Sequence, residues 1–317
     1  FTEDTPPRPP SQGGTFVTHV YREINLDNRI IPIDNIQYRF KHELGKGAYG
    51  SVHSAVALPS GRKVAVKVVS LAADPSVLSA LAESYLNEVA MSKRLAKETP
   101  YVVKMYSFDF DSQTALAFMV MELGGDNLEE HCKKLNEIVN ERTRSKERHH
   151  ARKSLRGEYI PDKNRKEIWK QLVSILNTLR KYNIVHLDLK PMNLVFFGPY
   201  MKLVDLGIAK KTNTICHGRA GTEGYTAPEV FFAPPGTSLV TNFKADIWSA
   251  GAILYYMTYG LPPRSPPAAP YAPPPGLTPT RDQGVIDILR HCLHRDSNMR
   301  PDPVWLRNHP YTHSQAN

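Results

Sequence analysis

The 317-residue sequence has few cysteines and no long apolar run. The first argues against disulfide-rich and zinc-binding proteins, and the second against membrane-spanning proteins. Cys132, Cys216 and Cys292 are far apart and form no CxxC pair, which argues against a disulfide framework and against a zinc site of usual spacing. The apolar run Ala115–Met121 is far shorter than the roughly twenty residues of a membrane span. The chain begins at Phe1 without a signal-peptide pattern, and a start without Met is typical of a fragment. We expect a soluble chain in a reducing compartment, with no membrane partner.

Composition favours a folded protein of about two domains. The sequence is 41% hydrophobic and 9% aromatic, which is enough to bury a sizeable core. Its net charge of +9 is concentrated, because residues 142–156 hold seven Lys or Arg and one acid. No basic surface interleaved with aromatic residues is recognisable, so direct binding of nucleic acid is not expected.

The order of patterns along the chain predicts an α+β fold. Residues 1–16 are Pro-rich and small, and we expect them to be disordered. Short β-rich runs with one helical segment, Pro75–Lys97, predict a small antiparallel sheet domain over residues 36–123. A larger, mainly helical domain follows over residues 124–312, and Asn164–Tyr182 shows the 3.6-residue period of its best-defined helix.

Two segments interrupt the helical domain. The basic insert, residues 140–157, is either a solvated loop between two helices or a docking patch for an acidic partner. The Pro-rich segment, residues 262–279, contains nine prolines, which neither a helix nor a central strand tolerates. It is either a solvated connector or a polyproline II ligand for a polyproline-binding partner.

A glycine-rich stretch, GKGAYGSV, lies between two β-like runs. Its glycines are Gly45, Gly47 and Gly50. A strand–turn–strand setting disfavours the dinucleotide-binding fold, where such glycines open a helix. It favours a flap whose backbone N–H groups approach phosphates closely.

Lys67 ends the alternating run VAVK that follows the glycines. Taken alone, such a lysine could equally be a solvated residue at the edge of a sheet. Behind a glycine flap it can instead reach the α- and β-phosphates of a nucleotide, and it then needs a carboxylate to hold it. The following helical segment offers Glu88, with Glu83 as the competing candidate.

A denser cluster of polar residues lies in HLDLKPMNL and the following LVDLG. It supplies a carboxylate (Asp188), a cation (Lys190), an amide oxygen (Asn193) and a second carboxylate (Asp205). Phosphoryl transfer needs a carboxylate that orients the attacking hydroxyl and a cation that offsets charge on the moving group. It also needs oxygen ligands for Mg²⁺. The cluster therefore predicts that Asn193 and Asp205 bind Mg²⁺, with Asp188 and Lys190 as catalytic groups.

In this order, the glycine flap, VAVK, HxDLKxxN and DLG resemble the eukaryotic protein kinase family. The motifs GTEGYTAPE, DIWSAG and HRDSNMRP continue the resemblance over residues 36–311. The resemblance implies a bilobal fold that holds ATP between a sheet lobe and a helical lobe. It also implies that Glu229 pairs with Arg300 and that Asp246 braces the catalytic loop. Lys190 is typical of serine/threonine and dual-specificity kinases.

A narrower likeness, to the monopolar spindle checkpoint (TTK) kinases, comes from YLNEVAMSKRL, MVMELGG and ILYYMTYG. These kinases have dual specificity and act at kinetochores, which implies a kinetochore partner and a location in nucleus and cytoplasm. By this comparison Glu88 pairs with Lys67, Met121 is the gatekeeper, and Glu122 and Leu123 offer backbone bonds to the adenine. The nucleotide-binding residues implied in addition are Val52, Ala65 and Leu194.

Three departures from the usual kinase pattern affect these expectations. Leu187 replaces the usual Arg before the catalytic Asp, so no guanidinium there can pair with a phosphorylated loop. The checkpoint kinase family also lacks this Arg, so the departure agrees with the narrower likeness. Leu206 replaces the Phe of DFG with similar volume. Ser92 lies where an apolar residue usually packs behind Glu88.

The alternative function is a pseudokinase scaffold, but such scaffolds usually lack at least one of the four residues Lys67, Asp188, Asn193 and Asp205.

Overall fold

A computed structural model describes residues 25–47, 50–72, 75–147, 158–206, 210–211, 215–217, 221–264 and 269–314. They form two compact units. The first contains the described residues up to Val89 together with Lys104–Leu123, and the second contains Ala90–Val103 and the described residues from Gly124 onwards. Residues 90–103, assigned from sequence to the sheet domain, therefore group with the helical unit. The lead-in predicted for residues 1–16 lies outside the described residues.

The first unit is a six-stranded antiparallel sheet with one helix, as the sequence predicts. Its strands follow the order β1-β2-β3-β4-β6-β5. The strands are β1 (Ile30–Ile33), β2 (Ile36–Gly47), β3 (Gly50–Leu58), β4 (Lys63–Ser70), β5 (Met105–Asp111) and β6 (Leu116–Glu122). The helix is α1 (Pro75–Glu98), which belongs to this unit as far as Val89.

The sheet buries apolar side chains on both faces. Val64, Val66 and Val68 of β4 are buried in the core of one face, whereas Val69 is buried on the opposite face with Tyr85 of α1. This separation follows from the two-residue alternation of side chains along a strand.

One strand begins later than the sequence predicts. Its apolar pattern starts at Val102, but β5 begins at Met105. Val102 instead forms a parallel bridge with Leu203, and the Val103 N–H donates to the Leu203 carbonyl at 2.9 Å. Val102 and Val103 are thus extended and apolar, as the sequence pattern indicates. They pair with Leu203 of the second unit, and for this reason they are not part of β5.

The second unit is mainly helical. Its helices are α2 (Leu128–Glu147), α3 (Asp162–Lys181), α4 (Pro228–Phe231), α5 (Lys244–Tyr259), α6 (Gln283–Cys292), α7 (Pro303–Asn308) and α8 (Pro310–His313). Its short strands are β7 (Ile184–Val185), β8 (Leu194–Phe197), β9 (Tyr200–Leu203), β10 (Lys210–Lys211), β11 (Ile215–His217) and β12 (Ser238–Val240).

Helix α5 forms the centre of this unit. Every side chain from Ala245 to Thr258 is buried, so the helix is covered on all sides. It ends at Gly260, whose φ of +81° is left-handed, and a Cβ there would lie 2.9 Å from the Tyr159 ring. Only glycine meets both conditions without strain.

No helix in the described part of the chain has both the length and the apolar character needed to cross a membrane.

The basic insert begins as helix rather than as a loop. Helix α2 continues to Glu147, so the first part of the segment predicted as a loop at residues 140–157 is helical. Arg, Lys and Glu have high helix propensity, which outweighs the absence of an apolar face. The hydroxyls of Thr143 and Ser145 donate to carbonyls four residues earlier, each at 2.9 Å. Residues 148–157 lie outside the described residues.

The Pro-rich segment has no helix among its described residues, 262–264 and 269–279. Its second half nevertheless packs on α5. The Tyr255 hydroxyl donates to the Ala272 carbonyl at 2.6 Å, and the Thr280 N–H beyond the segment donates to the Tyr259 hydroxyl at 3.2 Å. No residue from 271 to 279 is buried, which agrees with the prediction of a solvated connector, although Tyr255 of the core helix binds one backbone carbonyl of this half.

Candidate active site

The glycine flap is the hairpin that joins β2 to β3. Gly47 pairs with Gly50 and Gly45 pairs with Val52, so the glycines lie in a strand–turn–strand unit as predicted. A Cβ at Gly50 would collide with the Val68 carbonyl of the neighbouring strand, which makes glycine necessary there. A Cβ at Gly45 would meet nothing within 4 Å, so this position leaves open space above the backbone.

The sheet register brings four of the predicted nucleotide-binding side chains to one face. Val52 of β3 lies opposite Lys67 of β4, and Ala65 of β4 lies opposite Met121 of β6. Directly paired residues point to the same face, and so do residues two apart on a strand. Lys67 shares this face with Val69, which packs against α1.

Lys67 forms a buried ion pair with Glu88 of α1. Its ammonium donates to both carboxylate oxygens, at 2.9 and 2.8 Å, and the two side chains are only 14% and 6% exposed. Glu83 is exposed, so the structure selects Glu88 of the two candidates. Tyr85 anchors the same helix, since its hydroxyl lies 3.1 Å from the Asp109 carbonyl and 2.9 Å from the Phe118 carbonyl.

The predicted hinge residues end the sheet unit. The Glu122 N–H donates to the Lys104 carbonyl at 3.0 Å, and the Lys104 N–H donates to the Glu122 carboxylate at 2.8 Å. These bonds fix the backbone at Glu122, and the backbone bonds of Glu122 and Leu123 to the adenine stay a prediction. Leu123 ends the first unit.

In the second unit, Asp246 holds the start of the catalytic loop, residues 186–193. Its carboxylate accepts the N–H of His186 at 2.7 Å and that of Leu187 at 3.0 Å. Leu187 has a φ of +67°, a strained conformation for a branched residue that the surrounding bonds stabilise. Complete burial raises the pKa of the Asp246 carboxyl, while His186 and the two N–H groups act in the opposite direction.

Asp188 lies in a hydrogen-bonded set with Lys190 and Thr222. The Thr222 hydroxyl donates to Asp188 Oδ1 at 2.8 Å and accepts from the Lys190 ammonium at 2.9 Å. Lys190 Nζ is also 3.5 Å from Asp188 Oδ2. The loop that carries Thr222 thus fixes the predicted catalytic carboxylate and cation relative to each other.

Asn193 and Asp205 provide a donor set that fits Mg²⁺. The Asn193 amide N–H donates to the Asp188 carbonyl at 2.8 Å, so its amide oxygen is left as the group that can bind a cation. The Val204 N–H donates to the Asn193 carbonyl at 3.2 Å, which places the next residue, Asp205, beside the loop. Amide and carboxylate oxygens are the ligands that Mg²⁺ prefers. Leu194 follows directly and is fully buried. The described residues contain no cluster of three or more His, Cys, Asp or Glu suited to a metal.

Sequence reasoning missed the role of His186. Its Nδ1 accepts the Asp188 N–H at 3.1 Å, and its Nε2 lies within hydrogen-bond distance of the Asp205 carbonyl. The imidazole therefore joins the backbone at the catalytic carboxylate to the backbone at the metal-binding carboxylate. Its place at the start of HxDLKxxN was the available signal.

A second buried pair stabilises the helical unit behind the loop. The Arg300 guanidinium is fully buried and binds both oxygens of Glu229, at 2.7 and 2.8 Å. This fork-to-fork geometry is the strongest form of an Arg–carboxylate pair. The pair implied by the family resemblance is therefore present.

An antiparallel sheet with an anchored Lys–Glu pair and a helical unit with this catalytic loop define the protein kinase fold. The family model described as the protein kinase domain matches residues 38–312. The chain belongs to this protein kinase domain family.

Individual relatives are more distant. Dual specificity protein kinase TTK of Mus musculus is 28% identical over 314 residues, which cover 91% of this chain and 33% of the relative. Serine/threonine-protein kinase mph1 of Schizosaccharomyces pombe is 26% identical over 320 residues, 89% of this chain and 44% of the relative. Serine/threonine-protein kinase ULK3 of Homo sapiens is 31% identical over 226 residues, which cover 69% of this chain and 41% of the relative. The chain thus spans less than half the length of these curated relatives.

Proposed function

We propose that this chain transfers the γ-phosphoryl group of ATP to serine or threonine side chains of protein substrates. The observation that carries the proposal is the set Asp188, Thr222 and Lys190, bonded to one another beside Asn193. No simpler role explains a carboxylate, a cation and an amide oxygen held this closely in one loop. The buried Lys67–Glu88 pair in the sheet unit supports it.

Each residue has a defined task in this reaction. Asp188 Oδ1 accepts the Thr222 hydroxyl at 2.8 Å, whereas Oδ2 has only the longer contacts of 3.5 Å to Lys190 and Asn193. Oδ2 is the oxygen that orients the substrate hydroxyl and accepts its proton. Lys190 offsets negative charge on the transferring group. Lys67, oriented by Glu88, binds the α- and β-phosphates. These contributions are positioning and electrostatics, which is what phosphoryl transfer requires of a protein.

Asn193 and Asp205 would hold Mg²⁺. When bound, the ion supplies charge neutralisation at the phosphate oxygens and fixes their orientation. The pseudokinase alternative gains no support, since Lys67, Asp188, Asn193 and Asp205 are all present. We therefore assign ATP and Mg²⁺ as the ligands of the chain.

The test compares the chain with Asp188→Asn and Asp205→Asn on labelled ATP, Mg²⁺ and a generic basic protein. Both substitutions should lower transfer by roughly 10³-fold or more, since each removes a group that acts in the transition state. Asp188→Asn should retain its affinity for ATP, whereas Asp205→Asn should lose affinity for Mg·ATP. Glu137→Gln, which makes the same chemical change at an exposed site on α2, is the control. Near-normal transfer by Asp188→Asn would defeat the proposal.

We further propose dual specificity and a role in the mitotic spindle checkpoint, with a kinetochore partner and a location in nucleus and cytoplasm. The support is the likeness of ILYYMTYG and the names of the mouse and fission yeast relatives. Phosphosite mapping on protein substrates, together with imaging of the tagged protein in dividing cells, tests this. Absence from kinetochores, or no phosphotyrosine among the products, would reject the corresponding part.

We also propose a polyproline-binding partner for the Pro-rich segment. The support is its composition together with the exposure of Tyr271, an aromatic side chain within the segment. Capture of an isolated polyproline-binding domain by the chain, with loss of capture when residues 262–279 are replaced by a Gly/Ser linker of equal length, would support this. No capture by the unmodified chain would reject it.

A further inference from the structure

Two threonines in the described part of the chain are followed by proline, and their surroundings differ. Thr99 is 7% exposed and follows the last residue of α1. Its N–H donates to the Leu95 carbonyl at 2.9 Å, and its hydroxyl accepts the Tyr101 N–H at 3.2 Å. Thr278 is exposed and lies in a stretch without helix or strand. The same dipeptide is therefore enclosed at one position and accessible at the other.

The backbone around Thr278 is suited to binding in a cleft. A turn precedes it, since the Leu277 N–H donates to the Pro274 carbonyl at 3.0 Å and Gly276 has a φ of +84°. The following Pro279 disfavours a helical backbone at Thr278 and favours an extended one. A segment that is extended before it binds loses less conformational entropy when an enzyme takes it up.

An exposed cation, Arg281, lies three residues beyond Thr278. Three residues span at most about 11 Å of chain. A guanidinium forms paired hydrogen bonds with carboxylates and with phosphate, so Arg281 offers an anchoring charge to an acidic enzyme cleft. After modification it offers a partner for a phosphate on the nearby hydroxyl. Residues 278–281 thus combine an accessible hydroxyl, a proline and a basic side chain.

We infer that Thr278 is phosphorylated by a separate proline-directed kinase, which recognises the proline directly after the acceptor and the basic residue two positions further on. The Thr278 hydroxyl oxygen forms a bond to the γ-phosphorus of ATP, and the bond from that phosphorus to the β-phosphate oxygen breaks. The hydroxyl proton passes to a carboxylate of the second kinase, ADP leaves, and the side chain gains a negatively charged phosphate. The inference does not depend on the transfer activity proposed for this chain.

Thr280 limits how readily the segment enters a cleft. It is 5% exposed, its N–H donates to the Tyr259 hydroxyl at 3.2 Å, and its own hydroxyl donates to the Glu158 carboxylate. Entry of Thr278 into a cleft therefore requires local opening at these bonds. When such opening is fast, the rate of modification follows the fraction of open molecules.

The test uses the whole chain carrying Asp188→Asn as the substrate, so that its own activity adds little phosphate. A purified cyclin-dependent kinase, which is proline-directed, is added with ATP and Mg²⁺, and mass spectrometry follows Thr278 and Thr99 over time. Thr278 should gain phosphate at least about tenfold faster than Thr99, because the buried threonine is reached only when its surroundings unfold.

A first pair of variants tests recognition of the cation. Arg281→Gln should lower the rate at Thr278 by about tenfold, the scale of a hydrogen bond to a charged group. Arg307→Gln makes the same change at another exposed arginine and should leave the rate unchanged. Equal rates for the two variants would remove Arg281 from the recognised motif.

A second pair tests the local opening. Tyr259→Phe removes one bond to Thr280 and should raise the rate at Thr278 by about fivefold, the scale of one hydrogen bond. Tyr200→Phe, at an exposed tyrosine, should not change it. An increase at Thr278 without an increase at Thr99 separates local opening from general unfolding.

Three results would overturn the inference. The first is an unmodified Thr278 in the folded chain, and the second is equal modification of Thr278 and Thr99. The third is phosphate on Thr278 after incubation of the unmodified chain with ATP and Mg²⁺ alone, which would assign the reaction to the chain itself.

Discussion

At the scale of single residues, Glu88 is a buried charge whose partner is also a predicted catalytic residue. It is almost wholly buried, and both of its oxygens accept from Lys67. Removing one partner of a buried pair leaves the other charge desolvated and uncompensated. The pair therefore matters for the position of the lysine and for the folding of the sheet unit.

We expect Glu88→Gln to lower kcat/KM for ATP by roughly 10²-fold, because the amide holds Lys67 less firmly at the phosphates. It should also lower the free energy of unfolding by about 3 kcal/mol. Glu83→Gln on the same helix is exposed and should leave both quantities nearly unchanged. Steady-state kinetics and urea titration measure the two effects, and equal behaviour of the two variants would contradict the assignment.

At the scale of structural elements, helix α3 is attached to the rest of its unit by Arg165. This fully buried guanidinium binds Glu158 at 2.8 Å, and its Nε donates to the Tyr311 hydroxyl at 3.3 Å. Asp162 and Asp282 are its other acidic partners. Burial raises the pKa of Glu158, with a further contribution from Asp162, although Arg165 opposes the shift.

We expect Arg165→Met to lower the free energy of unfolding by about 3 kcal/mol, because it strands the carboxylates that the guanidinium compensates. Lys163→Met removes an exposed cation of the same helix and should change it by no more than about 0.5 kcal/mol. Urea denaturation followed by tryptophan fluorescence compares the two. Similar values for both variants would show that the network contributes little.

The Pro-rich segment is also an element whose packing can be tested. Tyr255→Phe removes the hydroxyl that donates to the Ala272 carbonyl and should cost about 1 kcal/mol of unfolding free energy. Tyr200→Phe makes the same change at a tyrosine that is highly exposed and should have no measurable effect. Thermal melts of both variants measure this. A Tyr255→Phe protein as stable as its control would show that this bond contributes nothing to stability.

At the scale of the whole molecule, one buried and one half-buried histidine link stability to pH. Burial lowers the pKa of His53 from its ordinary value of 6.5, although Glu43 and Asp27 oppose the shift, and burial also lowers the pKa of His131. The folded chain therefore takes up these protons less readily than the unfolded chain. Their contribution to stability is complete above pH 6.5 and is lost as the pH falls through the lower folded-state values.

We expect the free energy of unfolding to fall less between pH 7.5 and 5.5 in His53→Gln than in the unmodified chain. His313→Gln, at an exposed histidine, should keep the original pH dependence. Guanidinium titrations at the two pH values give the comparison. An identical loss of stability in all three proteins would show that His53 does not contribute to the pH dependence.

The sequence by itself determined the features that depend on local chemistry. The spacing of Asp188, Lys190 and Asn193 within one loop predicts their roles, because residues this close in sequence must be close in space. Alternating and helical periods predict the sheet and the best-defined helices, because each element must bury one face. The glycine pattern predicts the hairpin. At Gly50 any other residue would collide with the neighbouring strand.

Only the tertiary structure decided which distant groups meet. The imidazole of His186 reaches the Asp205 carbonyl 19 residues away, and the Arg165 guanidinium binds the Tyr311 hydroxyl 146 residues away. The use of the Glu122 N–H by Lys104 and the packing of the Pro-rich segment on Tyr255 likewise involve partners remote in sequence. Such contacts depend on the packing of whole elements, which local propensity and spacing do not specify.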